Sequence, residues 1–331
     1  MLLWPHANVR YQKETVRLAL AELRLMLSRV QPGAMCERDE EICMPALKIS
    51  VSEELSETAL RAVGSHSLLY GLMRVDAGRL IPVLGRNAAY LGEDLPGILK
   101  YKGKTNEMFT AMTLNLALYA GEFWPAAQQR LHLLDPMCGK GTALFVGANR
   151  GYDCWGSDLN KNELAEAEHF FKRYLEYHRL KHKMRRESMT LGGGKSAPCV
   201  CFQFADTQQH FDAADVSSLR LAQADAGDVR RVFGKERFHI LICDLPYGVQ
   251  HAPKGGGMEK VLEKSLPQWV ESLKHGGACA ISFNAATLDK RVLCRAMEQA
   301  GFDLMHGDVY DNLEHWVEQA VTRDVVVGVR R

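Results

Sequence analysis

The stretch LHLLDPMCGKGTAL, residues 131–144, sets an apolar run against an aspartate and follows it with two glycines one residue apart, Gly139 and Gly141. Such a run reads as a buried strand, and the residues after Gly141 read as the start of a helix. Glycine lets the backbone pass close to a ligand, and a helix start offers amides that have no intrahelical partner. A unit of this kind belongs at the carboxyl edge of a parallel sheet, near the point where strand order reverses.

The surrounding chain supports that placement. Apolar runs at 131–134, 152–156, 219–224, 239–243 and 278–283 alternate with amphipathic stretches such as 258–273 and 290–300, the pattern of βαβ units. Near the end, DLMHGDVY (303–310) and RDVVVGVRR (323–331) are two strand-like runs without an ordinary helix between them, which predicts an antiparallel pair at one edge. Before residue 100 the chain reads differently. Val16, Leu20, Leu23, Leu27 and Val30 form the stripe of an amphipathic helix ended by Pro32-Gly33, and strand-like runs follow at 47–51, 67–75 and 79–84. The expected organisation is a small α+β module over residues 1–100, a candidate substrate-binding unit, and a larger catalytic domain over 101–331. A further helix is expected from Thr105, with Phe109, Met112 and Leu116 apolar and Gly121 as its stop.

A chain of 331 residues with 47 % hydrophobic and 24 % charged residues is an ordinary globular composition, and a net charge of +1 argues neither for nor against a polyanionic partner. The nine cysteines are scattered without C-x2-C spacing, so reduced thiols and no metal site are expected. No signal peptide or membrane span is read, and a cytoplasmic location is expected.

A G-x-G turn alone is weak, since dinucleotide dehydrogenases use it too. Two acids sharpen it. Asp158 ends the next expected strand, 17 residues after Gly141, where a carboxylate accepts both hydroxyls of a ribose. Asp135 stands four residues before Gly139, where dehydrogenase fingerprints usually carry glycine or an apolar residue. It would repel a pyrophosphate and suit a cationic or amine-bearing ligand, a requirement met by S-adenosylmethionine. The plain alternative is that Asp135 caps the following helix.

The second constellation is ICDLPYG, residues 242–248. An arylamine is a poor nucleophile because its lone pair is delocalised into the ring. Asp244 and the Leu245 carbonyl can each accept one amine hydrogen and draw the nitrogen toward tetrahedral geometry. Pro246 fixes the backbone direction, and Tyr247 offers a face on which a base stacks. The plain alternative is an ordinary strand-to-loop turn.

DPMCGKGT with DLPYG, in that order and with Asp158 and Asp225 between them, resembles the class I methyltransferases that modify the exocyclic amine of guanine in tRNA, the UPF0020-like catalytic domain of THUMP-containing enzymes. The resemblance covers roughly residues 100–331. It implies a Rossmann-like, mostly parallel seven-stranded sheet with an antiparallel last strand, S-adenosylmethionine as cofactor, and RNA, tRNA above all, as partner. For the cofactor it implies Asp135, Pro136, Cys138, Gly139, Gly141 and Thr142 in the first turn, Asp158 with Leu159 at the ribose, and Asp225 with Ala226 near the adenine. The stretch 104–118 is similar to the helix that precedes the first strand in those enzymes and closes over the cofactor, which implies Thr105 as a cofactor contact. For the target base it implies Asp244, Leu245, Pro246 and Tyr247. The first hundred residues are too short for both a ferredoxin-like and a full THUMP module. Other readings of the same motifs are a DNA adenine or cytosine amino-methyltransferase, a small-molecule or peptide N-methyltransferase, a non-catalytic RNA-binding scaffold and, more distantly, an NAD-dependent dehydrogenase.

Between Lys172 and Glu187 stand seven Lys/Arg residues (172, 173, 179, 181, 183, 185 and 186) against Glu176 and Glu187, with Phe170, Phe171, Tyr174 and Tyr177 adjacent. The stretch reads as a continuing helix that either tracks phosphates with Arg179, Lys183 and Arg186 on one face or is a solvated surface. LGGGKS (191–196) reads as a linker, PKGGGMEK (253–260) as a gate over the substrate, and Cys138 as a packing residue. His132 and His239 read as core histidines.

Overall fold

The computed structural model describes residues 1–6, 9–101, 103–192, 195–246, 257–318 and 320–331. Two compact units result, Met1–Ala88 with His306–Val325, and Ala89–Met305 with Val326–Arg331. None of the helices among the described residues is long and apolar enough to cross a membrane.

In the first unit a five-stranded antiparallel sheet has the order Met35–Asp39, Ala46–Ser50, Leu2–Leu3, Leu69–Asp76, Arg79–Leu84. The long helix Val9–Val30 buries Val16, Ala19, Leu23 and Leu27 with Leu47, Val63 and Leu69, so the stripe visible in the sequence is the core face. Ala77 and Gly78, both at positive φ, close the last hairpin as the two-residue turn that matches strand twist. One polar cluster is wholly buried: Glu22 accepts the amide and hydroxyl of Ser67 and lies 3.3 Å from His66. Its hydrogen bonds satisfy groups that would otherwise be costly to desolvate.

In the second unit the strands run, from edge to edge, Phe302–Leu304, the last strand (Val321–Arg330, of which Val326–Arg330 belongs to this unit), Leu273–Asn284, Phe238–Asp244, His132–Asp135, Asp153–Asp158, Ser217–Gln223, Lys195–Phe204 and His182–Gly192. The five strands from Leu273–Asn284 to Ser217–Gln223 pair parallel throughout. Strand order therefore reverses between His132–Asp135 and Phe238–Asp244, and both motif strands flank the switch point. The last strand pairs antiparallel with Phe302–Leu304, which makes this the Rossmann-like class I methyltransferase sheet, extended at its far edge by a hairpin. Trp155, Phe238, Leu241, Trp269 and Phe283 fill one side of the sheet, and Phe145, Phe171, Phe202 and Phe204 stack on the other.

Three expectations are corrected. The helix expected to run through Arg186 is Lys161–Tyr177; Arg179 takes a left-handed conformation (φ 55°), and the chain returns as the strand His182–Gly192. Its partner, Lys195–Phe204, carries β-forming Val200, Phe202 and Phe204, and pairing with it outweighs the helical composition of the basic stretch. Of LGGGKS, expected as a linker, Leu191–Gly192 and Lys195–Ser196 are paired strand ends, with Gly192 opposite Lys195; residues 193–194 lie outside the described residues. Of DLMHGDVY only Asp303 and Leu304 are strand, as the end of Phe302–Leu304, while Asp308–Tyr310 belong to the helical turn Asp308–Asp311.

Candidate active site

Both motifs end at the same edge of the sheet. Asp135 is the last residue of its strand and Asp244 the last of the neighbouring one, with Leu134 opposite Leu241. Asp158 ends the strand on the other side. Asp135 is buried, 4 % exposed, and accepts the Met137 amide at 3.1 Å. Burial, together with the like charges of Asp158 and Asp244, pushes its carboxyl well above the usual carboxylate range. Asp135 does not cap the helix that follows. That helix, Thr142–Ala148, has Gly141 (φ 86°) at its cap position and no side-chain cap, so its first amides face the turn.

Gly139 (φ 48°) donates its amide to Asp158 Oδ2 at 2.9 Å, while Asp158 Oδ1 accepts the Asn160 amide at 2.8 Å. The two sequence signals are thus parts of one structure: the acid of the second strand holds the glycine turn of the first. Cys138 is a packing residue, as its environment requires. Its amide donates to the Ser157 carbonyl, its carbonyl accepts the Gly141 amide, and burial pushes its thiol up. A Cβ at Gly156 would stand 2.7 Å from its Sγ, so glycine there lets the turn seat against the second strand. The Pro136 carbonyl accepts the Ser157 hydroxyl at 3.1 Å. Leu159 projects outward, 66 % exposed.

Asp225 follows the third parallel strand, adjacent to Asp158 by the register Gln223 to Asp158. One of its oxygens accepts both the Gly227 amide and the Lys264 ammonium. The side chain of Ala226 is buried and its carbonyl accepts Trp269 Nε1 at 2.9 Å.

The Asp244 carboxylate is held from two sides. Thr105 and Ser282 donate their hydroxyls to its two oxygens, and Ser282 lies directly opposite it in the next strand. The helix Glu107–Ala120 is capped by Asn106, whose side chain accepts the Met108 amide at 2.8 Å, which leaves Thr105 to reach Asp244. Leu245 is buried and donates its amide to the Ser282 carbonyl at 2.9 Å; Pro246 follows, half-buried. Tyr247 and residues 253–256 of the expected gate lie outside the described residues, and Gly257–Lys260 begin the helix Gly257–Ser272.

Two residues at this edge carry no motif signal. Tyr101 bonds Thr142 through its hydroxyl at 3.1 Å, lies under the Lys140 ammonium, and has its phenol pushed up by burial and by the nearby charges of Glu163, Asp244 and Asp135. Glu163 approaches Gly139 so closely that a Cβ there would be 2.9 Å from its Oε2. Both come from segments whose local sequence gives no hint of convergence on the turn.

Residues 125–310, more than half of the chain, match the UPF0020 family, described as the RMKL-like methyltransferase domain. The chain belongs to this family. Solved structures of similar fold include the precorrin-6y C5,15-methyltransferase of Geobacter metallireducens GS-15 (13 % identity, 74 % of this chain and 100 % of that one, TM-score 0.44). Another is the magnesium protoporphyrin IX methyltransferase of Synechocystis PCC 6803 with bound S-adenosylmethionine (13 % identity, 70 % and 87 %, TM-score 0.40). No curated protein matches the chain. This UPF0020 protein is an S-adenosylmethionine-dependent methyltransferase. The residues present fit that cofactor: the buried Asp135 is surrounded by like charge, a field that a sulfonium or ammonium group relieves.

The free protein carries a cost at Asp135. A carboxyl whose pKa is raised by folding binds its proton more tightly folded than unfolded. The contribution of Asp135 to stability is therefore greatest below about pH 4, the ordinary aspartate value, and is lost as pH rises from there through the raised pKa. Asp135→Asn keeps the acceptor for Met137 and removes that cost. The expected result at neutral pH is a higher melting temperature for the cofactor-free variant, by roughly 2–4 °C per kcal/mol relieved, and a gap that closes below about pH 4. Calorimetric scans across pH check it; equal melting temperatures throughout would mean that Asp135 is not strained.

Proposed function

We propose that this methyltransferase transfers the methyl group to an exocyclic amine of a nucleobase, guanine in RNA and foremost in tRNA. The observation that carries the reading is the doubly anchored Asp244 beside the cofactor turn. Held by Thr105 and Ser282, its carboxylate is fixed in direction at the sheet edge where the cofactor turn lies. When bound, S-adenosylmethionine supplies an electrophilic methyl group on a positively charged sulfur. Asp244 and the Leu245 carbonyl draw the amine hydrogens, and Tyr247 stacks on the base. Asp135 takes the cationic portion of the cofactor, with Pro136, Cys138, Gly139, Gly141 and Thr142 forming the turn around it. Asp158 accepts the ribose hydroxyls, the exposed Leu159 covers the adenine, and Asp225 and Ala226 stand at its far side. Thr105 serves by orienting Asp244.

An RNA substrate fits the basic hairpin at the sheet edge and the description of the family. The unit Met1–Ala88 is assigned to substrate contact. All nine cysteines are free, which fits a reducing, cytoplasmic setting. Comparing modified nucleosides from RNA of cells with and without the gene tests the reading. Loss of an N-methylated guanosine is expected; an unchanged nucleoside profile would contradict it.

A further inference from the structure

The basic stretch that the sequence presents as a helix face acquires a different meaning as a strand. Arg179, Lys183 and Arg186 do not share a face. Arg179 sits in the turn after the helix, and Lys183 and Arg186, an odd number of residues apart, point to opposite sides of the strand. Arg186 pairs with Glu168 of the Lys161–Tyr177 helix. The side chains that do share a face are Lys181, Lys183 and Arg185, at alternate positions and all exposed. The Ala205 amide donates to the Lys181 carbonyl, so the ladder includes Lys181.

We propose that Lys181, Lys183 and Arg185 form a phosphate-binding track for the RNA strand flanking the target nucleotide; the proposal rests on the RNA reading above. Three observations carry it. Successive cations stand about 7 Å apart along an extended strand, a spacing on the scale of neighbouring phosphates. The hairpin from His182 to Phe204 holds Lys183, Arg185, Arg186 and Lys195 against Glu187 alone, in a chain whose net charge is only +1. The register then carries positive charge inward on the same face, because Arg185 is opposite Cys201, Cys201 opposite Arg220, and Arg220 opposite Trp155. The Arg220 and Arg237 guanidinium groups both lie over the Trp155 ring, at 5.3 and 5.8 Å from its centroid.

Direction matters as much as charge. The strand runs parallel to Asp153–Asp158, so the track leads toward the catalytic edge. Glu187, through Cys199 and Ala222, is level with Ser157. From Arg185 to Asp158 is three strand steps, about 14 Å, across the sheet and about 10 Å along it, a reach of a few nucleotides. Phe211 lies beside the track, with the Lys183 ammonium 5.5 Å from its centroid. Of the nearby acids, Asp206 pairs with His210, Asp212 accepts the Gln208 amide group, and Asp215 pairs with Arg130. Glu187 alone interrupts the line of positive charge on this face of the strand.

The test is filter binding of an unmodified tRNA transcript across a series of salt concentrations. It compares the intact protein, the triple variant Lys181→Gln/Lys183→Gln/Arg185→Gln and a control outside the track, Arg179→Gln/Arg186→Gln, with one cation in the preceding turn and one on the strand's other face. Losing three contacts to a single strand should make the slope of log affinity against log salt shallower by about 2. The triple variant should keep its melting temperature and its affinity for S-adenosylmethionine, and the control should keep the wild-type slope. Parallel lines for the triple variant and an intact protein that still methylates the transcript would overturn the track while leaving the RNA reading in place. Aggregation of the triple variant with an unchanged slope would likewise overturn it, assigning these cations to protection of an edge strand. An intact protein that neither binds nor methylates the transcript would overturn both.

Discussion

Asp244→Ala is expected to lower methyl transfer by about 10²–10³-fold, the usual loss when a preorganised group facing the reacting atoms is removed. S-adenosylmethionine affinity should stay close to that of the intact protein. The separation follows from what Asp244 touches. Thr105 and Ser282, which hold it, lie outside the glycine turn, and its proposed partner is the amine in the transition state rather than the bound cofactor. Asp135 and Asp158 are left in place in the variant. Single-turnover rates beside calorimetric titration measure the two effects independently. A variant with intact turnover would make the acid a structural end to its strand. Parallel loss of cofactor binding would place it in the cofactor site instead.

Asp158→Ala should act in the opposite way, on binding first. Two charge-assisted hydrogen bonds to ribose hydroxyls, each of ~1.5–3 kcal/mol, correspond to at least a tenfold loss of cofactor affinity. The structure adds a second source of loss. Asp158 also accepts the Gly139 amide, so the alanine variant releases the turn that Asp135 and Gly141 share. Asp158→Asn keeps one acceptor oxygen, which can hold either the Gly139 or the Asn160 amide, and should fall between the intact protein and the alanine variant. Titration calorimetry with S-adenosylmethionine measures the series. Unchanged affinity in Asp158→Ala would remove this acid from the cofactor site.

What the sequence disclosed of this site follows from how local each feature is. A buried strand ending in Asp135 and a turn that needs positive φ at Gly139 and Gly141 are written in consecutive residues, as are the strand ends at Asp158 and Asp244. The parallel alternation gave the switch point as well. The contact between Thr105 and Asp244 joins residues 139 apart, and nothing in either segment encodes it. Tyr101 is similarly silent: it reaches Thr142 only because the segment before the Glu107–Ala120 helix lies against the turn. Asn106 and Thr105 are both cap-type residues, and only the structure shows that Asn106 caps the helix while Thr105 bonds the acid. The basic stretch failed for a different reason. His182–Gly192 is rich in residues that tolerate a helix, and its strand conformation is imposed by a partner strand that begins only at Lys195. Read as a helix, the wrong three cations fall on one face.

The central claim is that the anchored Asp244 directs a methyl group onto the exocyclic amine of guanine in RNA. Its most direct test is to incubate the purified protein with an unmodified tRNA transcript and S-adenosylmethionine carrying an isotopically labelled methyl group, digest the RNA to nucleosides and resolve them by mass spectrometry. The account predicts label on the base of guanosine, at the exocyclic nitrogen, and about 10²–10³-fold slower labelling by the Asp244→Ala variant. Label on ribose, on a ring nitrogen or carbon, or on RNA treated with Asp244→Ala at the wild-type level would contradict it.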